Sequence, residues 1–187
     1  MKKGAVVNNS KSRGFTLLET LIAFVVLTVG LLGAVALQAK AKQATYDSLQ
    51  RAAALSLSKD IIQRISINDD VNIVALYNKN FSSSDPAATS LPNCINVVCT
   101  AAQMSEYDLE EWKKQIKAKE NTGILANASV CITLKEAIVG EVDVEVIVSW
   151  EGRQKIKQTA ANEAFECGST AETRKIVVVN SFVSVRS

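Results

Sequence analysis

Histidine is absent from the 187 residues, and proline occurs only twice. Without histidine there is no His metal ligand, no His general base, and no Ser-His or Cys-His nucleophile pair. Aromatic residues make up only 5% of the chain, too few for a base-stacking surface on nucleic acid. Net charge is also small, at +2, but unevenly placed. Lys2, Lys3, Lys11 and Arg13 fall in the first 14 residues, where there is no acid. Beyond them, 17 of the 21 Lys and Arg face all 19 Asp and Glu, a net −2. A basic tip on a mildly acidic body excludes bulk nucleic-acid binding and suits a leader held on the cytoplasmic side of a membrane. The length fits one domain with an accessory segment.

What the chain does have is apolar length. The 20 residues Thr20 to Ala39 carry no charge. As a helix they span about 30 Å, the hydrocarbon thickness of a bilayer. A cleaved secretory signal would be shorter and end in small residues, whereas Lys40 and Lys42 follow here. Glu19 does not suit a plain anchor. A charge in a membrane helix costs up to about 3 kcal/mol at the centre and calls for a partner. No cation lies between Phe15 and Ala39. Cleavage after Gly14 would create one, the α-amine of Phe15, which could meet Glu19 of another subunit.

No Pro or Gly interrupts Ala34 to Asn72, so the spacing predicts one helix from Phe15 to about Ile65, near 75 Å long. Ala41, Leu49, Ala52, Ala53, Ile61, Ile62 and Ile65 are read as its apolar face, and Asp60 and Arg64 as an i, i+4 pair. A loop region follows over residues 68–99, holding Pro86 and Pro92. Thr100-Ala101-Ala102-Gln103 is a capping box. It opens a short amphipathic helix with Met104, Leu109, Trp112 and Ile116 inward. After Gly123 the period becomes two. Strands are expected around Val130–Leu134, Val142–Trp150, weakly over 153–160, and over Ile176–Val185, with turns at Val139-Gly140 and Glu151-Gly152. The Glu141, Asp143, Glu145 stripe reads as a solvated face. The result is an α+β chain whose antiparallel meander covers the long helix.

The four cysteines, Cys94, Cys99, Cys131 and Cys167, allow three pairings. An even count in an exported head points to two disulfides, and proximity favours Cys94–Cys99 with Cys131–Cys167. A zinc site lacks two close Cys pairs. The Asp69-Asp70 and Asp85 carboxylates are not spaced as a calcium loop. No metal or cofactor is expected, and no enzymatic activity.

Gly14-Phe15-Thr16-Leu17-Leu18-Glu19 behind a basic leader resembles the prepilin signature of type IV pilins and type II secretion pseudopilins. The resemblance implies a type IV pilin fold. A prepilin peptidase would cut between Gly14 and Phe15 and methylate Phe15. Glu19 would register the subunit against a neighbour's N-terminus. The parts would be a leader at 1–14, a transmembrane and assembly helix at 15–39, its amphipathic continuation at 40–66, and a head at 67–187.

The run Val25-Val26-Leu27-Thr28-Val29-Gly30-Leu31-Leu32-Gly33 and the segment Cys99 to Met104 with Tyr107, Asp108, Leu109 and Trp112 are similar to the PilV family of minor pilins. That implies a low-abundance subunit that primes pilus assembly and joins the tip complex, supporting adhesion and twitching motility. Its partners would be prepilin peptidase, other minor pilins, the major pilin, a tip adhesin and, before assembly, inner-membrane lipid, with no nucleic acid. It would sit in the inner membrane with its N-terminus cytoplasmic and its head periplasmic, then in the fibre. A type II secretion pseudopilin would share residues 14–65 but not the long 68–99 loop. A major pilin is the third reading, against which the missing helix-kinking proline weighs.

Overall fold

The computed structural model describes residues 14–138, 140–157, 159 and 163–185. The expected leader therefore lies outside the described residues except for Gly14, as do Val139 of one expected turn and part of the 153–160 strand. The chain divides into two compact units between Thr45 and Tyr46. A long helix, α1 (Leu17–Ile67), begins in the first unit and ends in the second. Its start is two residues later than expected because Thr16 serves as the N-cap.

The second unit continues through α2 (Ile73–Tyr77), β1 (Asn80–Ser82), α3 (Ala101–Asn121), β2 (Ala126–Ile138), β3 (Glu141–Glu151) and β4 (Arg174–Ser184). The sheet is an antiparallel meander in the order β1-β2-β3-β4. Its fourth strand is not the expected 153–160 segment, whose residues 153–157 form no strand. It is β1, hidden in the loop region, where Phe81, opposite Val130, is the only buried apolar side chain that the three-residue strand itself contributes. Such a short strand leaves almost no period to read. The same loop region holds α2, anchored by the fully buried Ile73 and Tyr77.

Alternation in the long strands decides the core. Val130, Ile132 and Leu134 of β2 lie opposite Val148, Val146 and Val144 of β3. On the far side of β3, Val148 and Val142 meet Val177 and Val183. These side chains cluster with Ala54, Leu57, Ile61 and Ile65 of α1 and with Trp112 and Ile116 of α3. The buried face of α1 is thus Gln50, Ala54, Leu57, Ser58, Ile61 and Ile65; it shares Ile61 and Ile65 with the expected face, and Ala53 and Ile62 pack against it, but the rest of that face is turned away. Leu49 is half exposed, and Ala41 and Ala52 are exposed. Two polar residues mislead the phase: Ser58 hides its hydroxyl by donating to the carbonyl of Ala54 at 3.0 Å, and Gln50 is buried as well.

A polar network borders this core. Arg64 pairs with Asp60 at 3.3 Å as expected, and reaches Asp108 on α3 at 2.8 Å. Asp108 also accepts from the Tyr77 hydroxyl at 2.8 Å, and Asp60 from the Trp112 indole at 2.9 Å. Asn68 donates to the Tyr77 oxygen and to the carbonyl of Ala101, each at 2.9 Å. The hydrogen bond to Asp108 raises the Arg64 guanidinium above its ordinary value. Burial, more than the nearby carboxylate, pushes the Tyr77 hydroxyl well above its own. Every hydrogen-bonding group in this knot comes from a different turn of sequence, so it binds the end of α1, α2 and α3 together. Trp112 is a core anchor, stacked on Phe81 at 6.3 Å between centroids. The α3 cap is the Thr100–Gln103 box read from the sequence.

Both disulfides are present, Cys94–Cys99 and Cys131–Cys167. The second lies on the sheet face away from the core, with Ile147, Phe165 and Val178 around it. It draws the β3–β4 connection across that face. Gly168 then approaches the sheet so closely, at φ +75°, that a Cβ there would strike the side chains of Ser149 and Ser129.

Asp108→Ala is expected to lower stability by about 2–4 kcal/mol, because it strands a buried Tyr hydroxyl and one arm of Arg64. Trp fluorescence during urea unfolding reads this. Removing Cys131–Cys167, which closes 36 residues of chain, is expected to cost about 4 kcal/mol against about 2 for Cys94–Cys99 in the chain-entropy view. Gly168→Ala, with a left-handed backbone and no room for a methyl, should cost about as much as losing the longer disulfide. Thermal unfolding of the three variants beside the parent gives the ranking.

Candidate functional site

The first unit offers a helix surface and one charge. From Phe15, 83% exposed, just before α1, through Leu37, 73% exposed, the large apolar side chains all stand in the open. The helix passes through Gly30 and Gly33 without a break, and a Cβ at either would meet nothing within 4 Å. By length and composition this helix is apolar enough to cross a membrane. An apolar surface on every side of a helix has no stable exposure to water; it belongs in lipid or among other apolar helices.

Glu19 interrupts that surface in the first turn of the helix. Its carboxylate accepts the Thr16 backbone N–H at 3.4 Å, while the Thr16 hydroxyl accepts the Glu19 N–H at 3.3 Å. This is a reciprocal capping box. The Thr-x-x-Glu spacing at Thr16 is the same signal as the Thr-x-x-Gln at Thr100, yet the pilin motif around it masks its capping role. Thr16 is therefore a functional position that sequence reasoning passed over. Both bonds are long, so the cap orients the carboxylate without consuming its charge. A negative group here also faces the positive end of the helix dipole, which offsets part of its cost in an apolar setting.

Gly14 precedes the helix in irregular backbone, with no heavy atom within 4 Å of where a Cβ would stand. Among the described residues, nothing beyond its chain neighbours crowds Gly14. Gly14, Phe15 and Glu19 share one stretch at the helix start in the first unit, and the four cysteines belong to the second unit. Among the described residues, no group of three or more His, Cys, Asp or Glu is placed to hold a metal ion, and the cysteines are all bonded in pairs.

Two family comparisons bear on this geometry. Residues 9–35 match the prokaryotic N-terminal methylation motif, and residues 36–110 match the family described as Type IV pilin Tt1218. No curated protein and no solved structure matches the chain. The methylation motif implies processing by prepilin peptidase and assembly with other pilins, and with the apolar helix it fits membrane anchoring. Type IV pilins are structural subunits, and the long apolar helix followed by a four-stranded antiparallel sheet is their α+β fold. The two adjoining matches and this architecture are similar to those of type IV pilins and support a pilin role for the chain.

Proposed function

We propose that this chain is a type IV pilin and a minor subunit of the PilV kind, which helps prime pilus assembly and joins the tip complex that supports adhesion and twitching motility. One observation carries the reading furthest: a helix bare of cover from Phe15 to Leu37 bears a single carboxylate, Glu19, five residues into the chain that cleavage after Gly14 would leave. Water adding across the Gly14–Phe15 bond would leave the leader with a carboxylate and Phe15 with an α-amine, which is then methylated. In a fibre of like helices that amine, still cationic, would meet Glu19 of a neighbour. Pairing the two charges removes the cost that each would carry alone in an apolar core.

Before assembly the same helix would hold the subunit in the inner membrane, N-terminus inward by the basic leader, with the head outside. The disulfides of the head suit an oxidising compartment. The long connection between α1 and α3, with its own stapled loop, favours a pilus subunit over a secretion pseudopilin. No proline kinks the helix as in many major pilins, and a low-abundance role follows from the PilV likeness.

Gly14→Val is expected to leave an uncut precursor in the membrane fraction, seen as a heavier band with the leader intact. Glu19→Ala should insert normally but fall by about tenfold or more in sheared fibres, the ratio that loss of an interaction of roughly 1.4 kcal/mol produces. Normal incorporation of Glu19→Ala removes the charge-pairing argument. Thr16→Val keeps the side-chain volume and removes the cap. It should weaken the helix start by about 1 kcal/mol and speed amide exchange at Glu19 by about fivefold in micelles, with cleavage unaffected.

A further inference from the structure

The sheet ends in β4, which has β3 on one side and, among the described residues, no strand on the other. Two backbone bonds fix which of its groups look outward. Val185 donates to the carbonyl of Gly140, and Gly152 donates to the carbonyl of Thr173. They bracket an unbroken register running from Glu141 opposite Ser184 to Glu151 opposite Arg174. In such a ladder alternate residues exchange both bonds with the partner strand. The odd-numbered residues of β4 do so with β3. The N–H and C=O groups of Ile176, Val178, Asn180 and Phe182 therefore face the free edge, and have no backbone partner among the described residues.

Sheets guard open edges with charge, proline, bulges or brevity. From Ile176 to Ser184 the strand has none of these: it is uncharged, proline-free, without a register shift, and its Phe182 is 69% exposed. The opposite edge, by contrast, is partly covered by β1 and then bears Lys135 and Glu136.

A cleft of about 540 Å³ opens where β4 begins, and Ile176 lines both it and the edge. Arg51, Arg174 and Lys175 line it against one carboxylate, Asp47, which holds Lys175 at 2.7 Å. Trp150 lines it too, and the buried indole N–H of that residue has no acceptor among the described residues. The edge asks for a strand, and the cleft beside it asks for a negative charge.

We propose that β4 and this cleft dock an extended segment of a partner protein by strand addition. The segment runs antiparallel to β4, pairs with Ile176 through Phe182, presents uncharged side chains along the strand, and places a carboxylate near its C-terminal end against Arg51. Antiparallel pairing brings that end to the cleft, since the cleft lies at the start of β4. Main-chain bonds supply the affinity and the cationic cleft the polarity of docking.

The probe is the peptide Thr-Val-Thr-Val-Thr-Val-Asp with a free C-terminus, added to the full chain in detergent. Binding is expected to slow amide exchange at Ile176, Val178, Asn180 and Phe182, while Val177, Val179 and Ser181, bonded to β3, do not change. Asn180→Pro deletes an N–H that β3 does not use, so the fold survives and peptide affinity falls by about tenfold or more. Arg51→Glu on exposed helix surface, or an amidated peptide ending in Asn, is expected to give a similar loss. No saturable binding at millimolar peptide overturns the proposal. So does binding that Asn180→Pro and Arg51→Glu both leave unchanged, or protection that ignores the odd–even pattern. The proposal goes beyond the pilin assignment and does not depend on leader removal, so its failure leaves the assembly reading intact.

Discussion

Everything in the second unit depends on burying one stripe of α1. Ala54, Leu57, Ile61 and Ile65 recur at helical spacing and are covered almost completely. The valine ladder of β2, β3 and β4 supplies the opposing surface. Neither element is stable alone in water: the helix stripe needs a cover and a meander needs something to pack on. The Arg64–Asp108 knot then orients the pieces that apolar packing leaves free to slide, because hydrogen bonds are directional and burial is not.

That same helix serves two solvents. Where the sheet covers it, one face is apolar; where nothing covers it, every face is. The chain therefore separates folding from assembly along a single element. Residues beyond Tyr46 build a head with its own core and two disulfides. On the proposed reading, residues 15–39 are left for lipid or for like helices. Glu19 is tolerable there because its position in the first turn gives it a capping partner and the helix dipole, both local, while its charge stays available for a partner from outside.

The outer face of the sheet is organised by a covalent tie. Cys131–Cys167 pulls the β3–β4 connection over Ile147 and Val178, and Gly168 is the only residue type that fits against Ser129 and Ser149 at that backbone angle. The connection is spent on this face, and the far edge of β4 has no strand among the described residues. Cover on one side and exposure on the other follow from the same route of the chain.

Residue order alone was enough for the elements with strong periods: the apolar run of α1, the capping box and amphipathic face of α3, the three long strands and the Gly14–Glu19 motif; it favoured one disulfide pairing of three by proximity, and the fold selected it. Local interactions and repeated burial write these directly into residue order. Tertiary structure alone decided the phase of the buried face of α1, where Gln50 and Ser58 lie inside and Leu49 does not, since that phase is set by where the sheet sits. It also decided that β1 replaces 153–160 as the fourth strand, that Arg64 reaches past Asp60 to Asp108, and that the edge of β4 stays open. Each of these rests on contacts between residues far apart in the chain, and no local pattern carries the position of a distant partner.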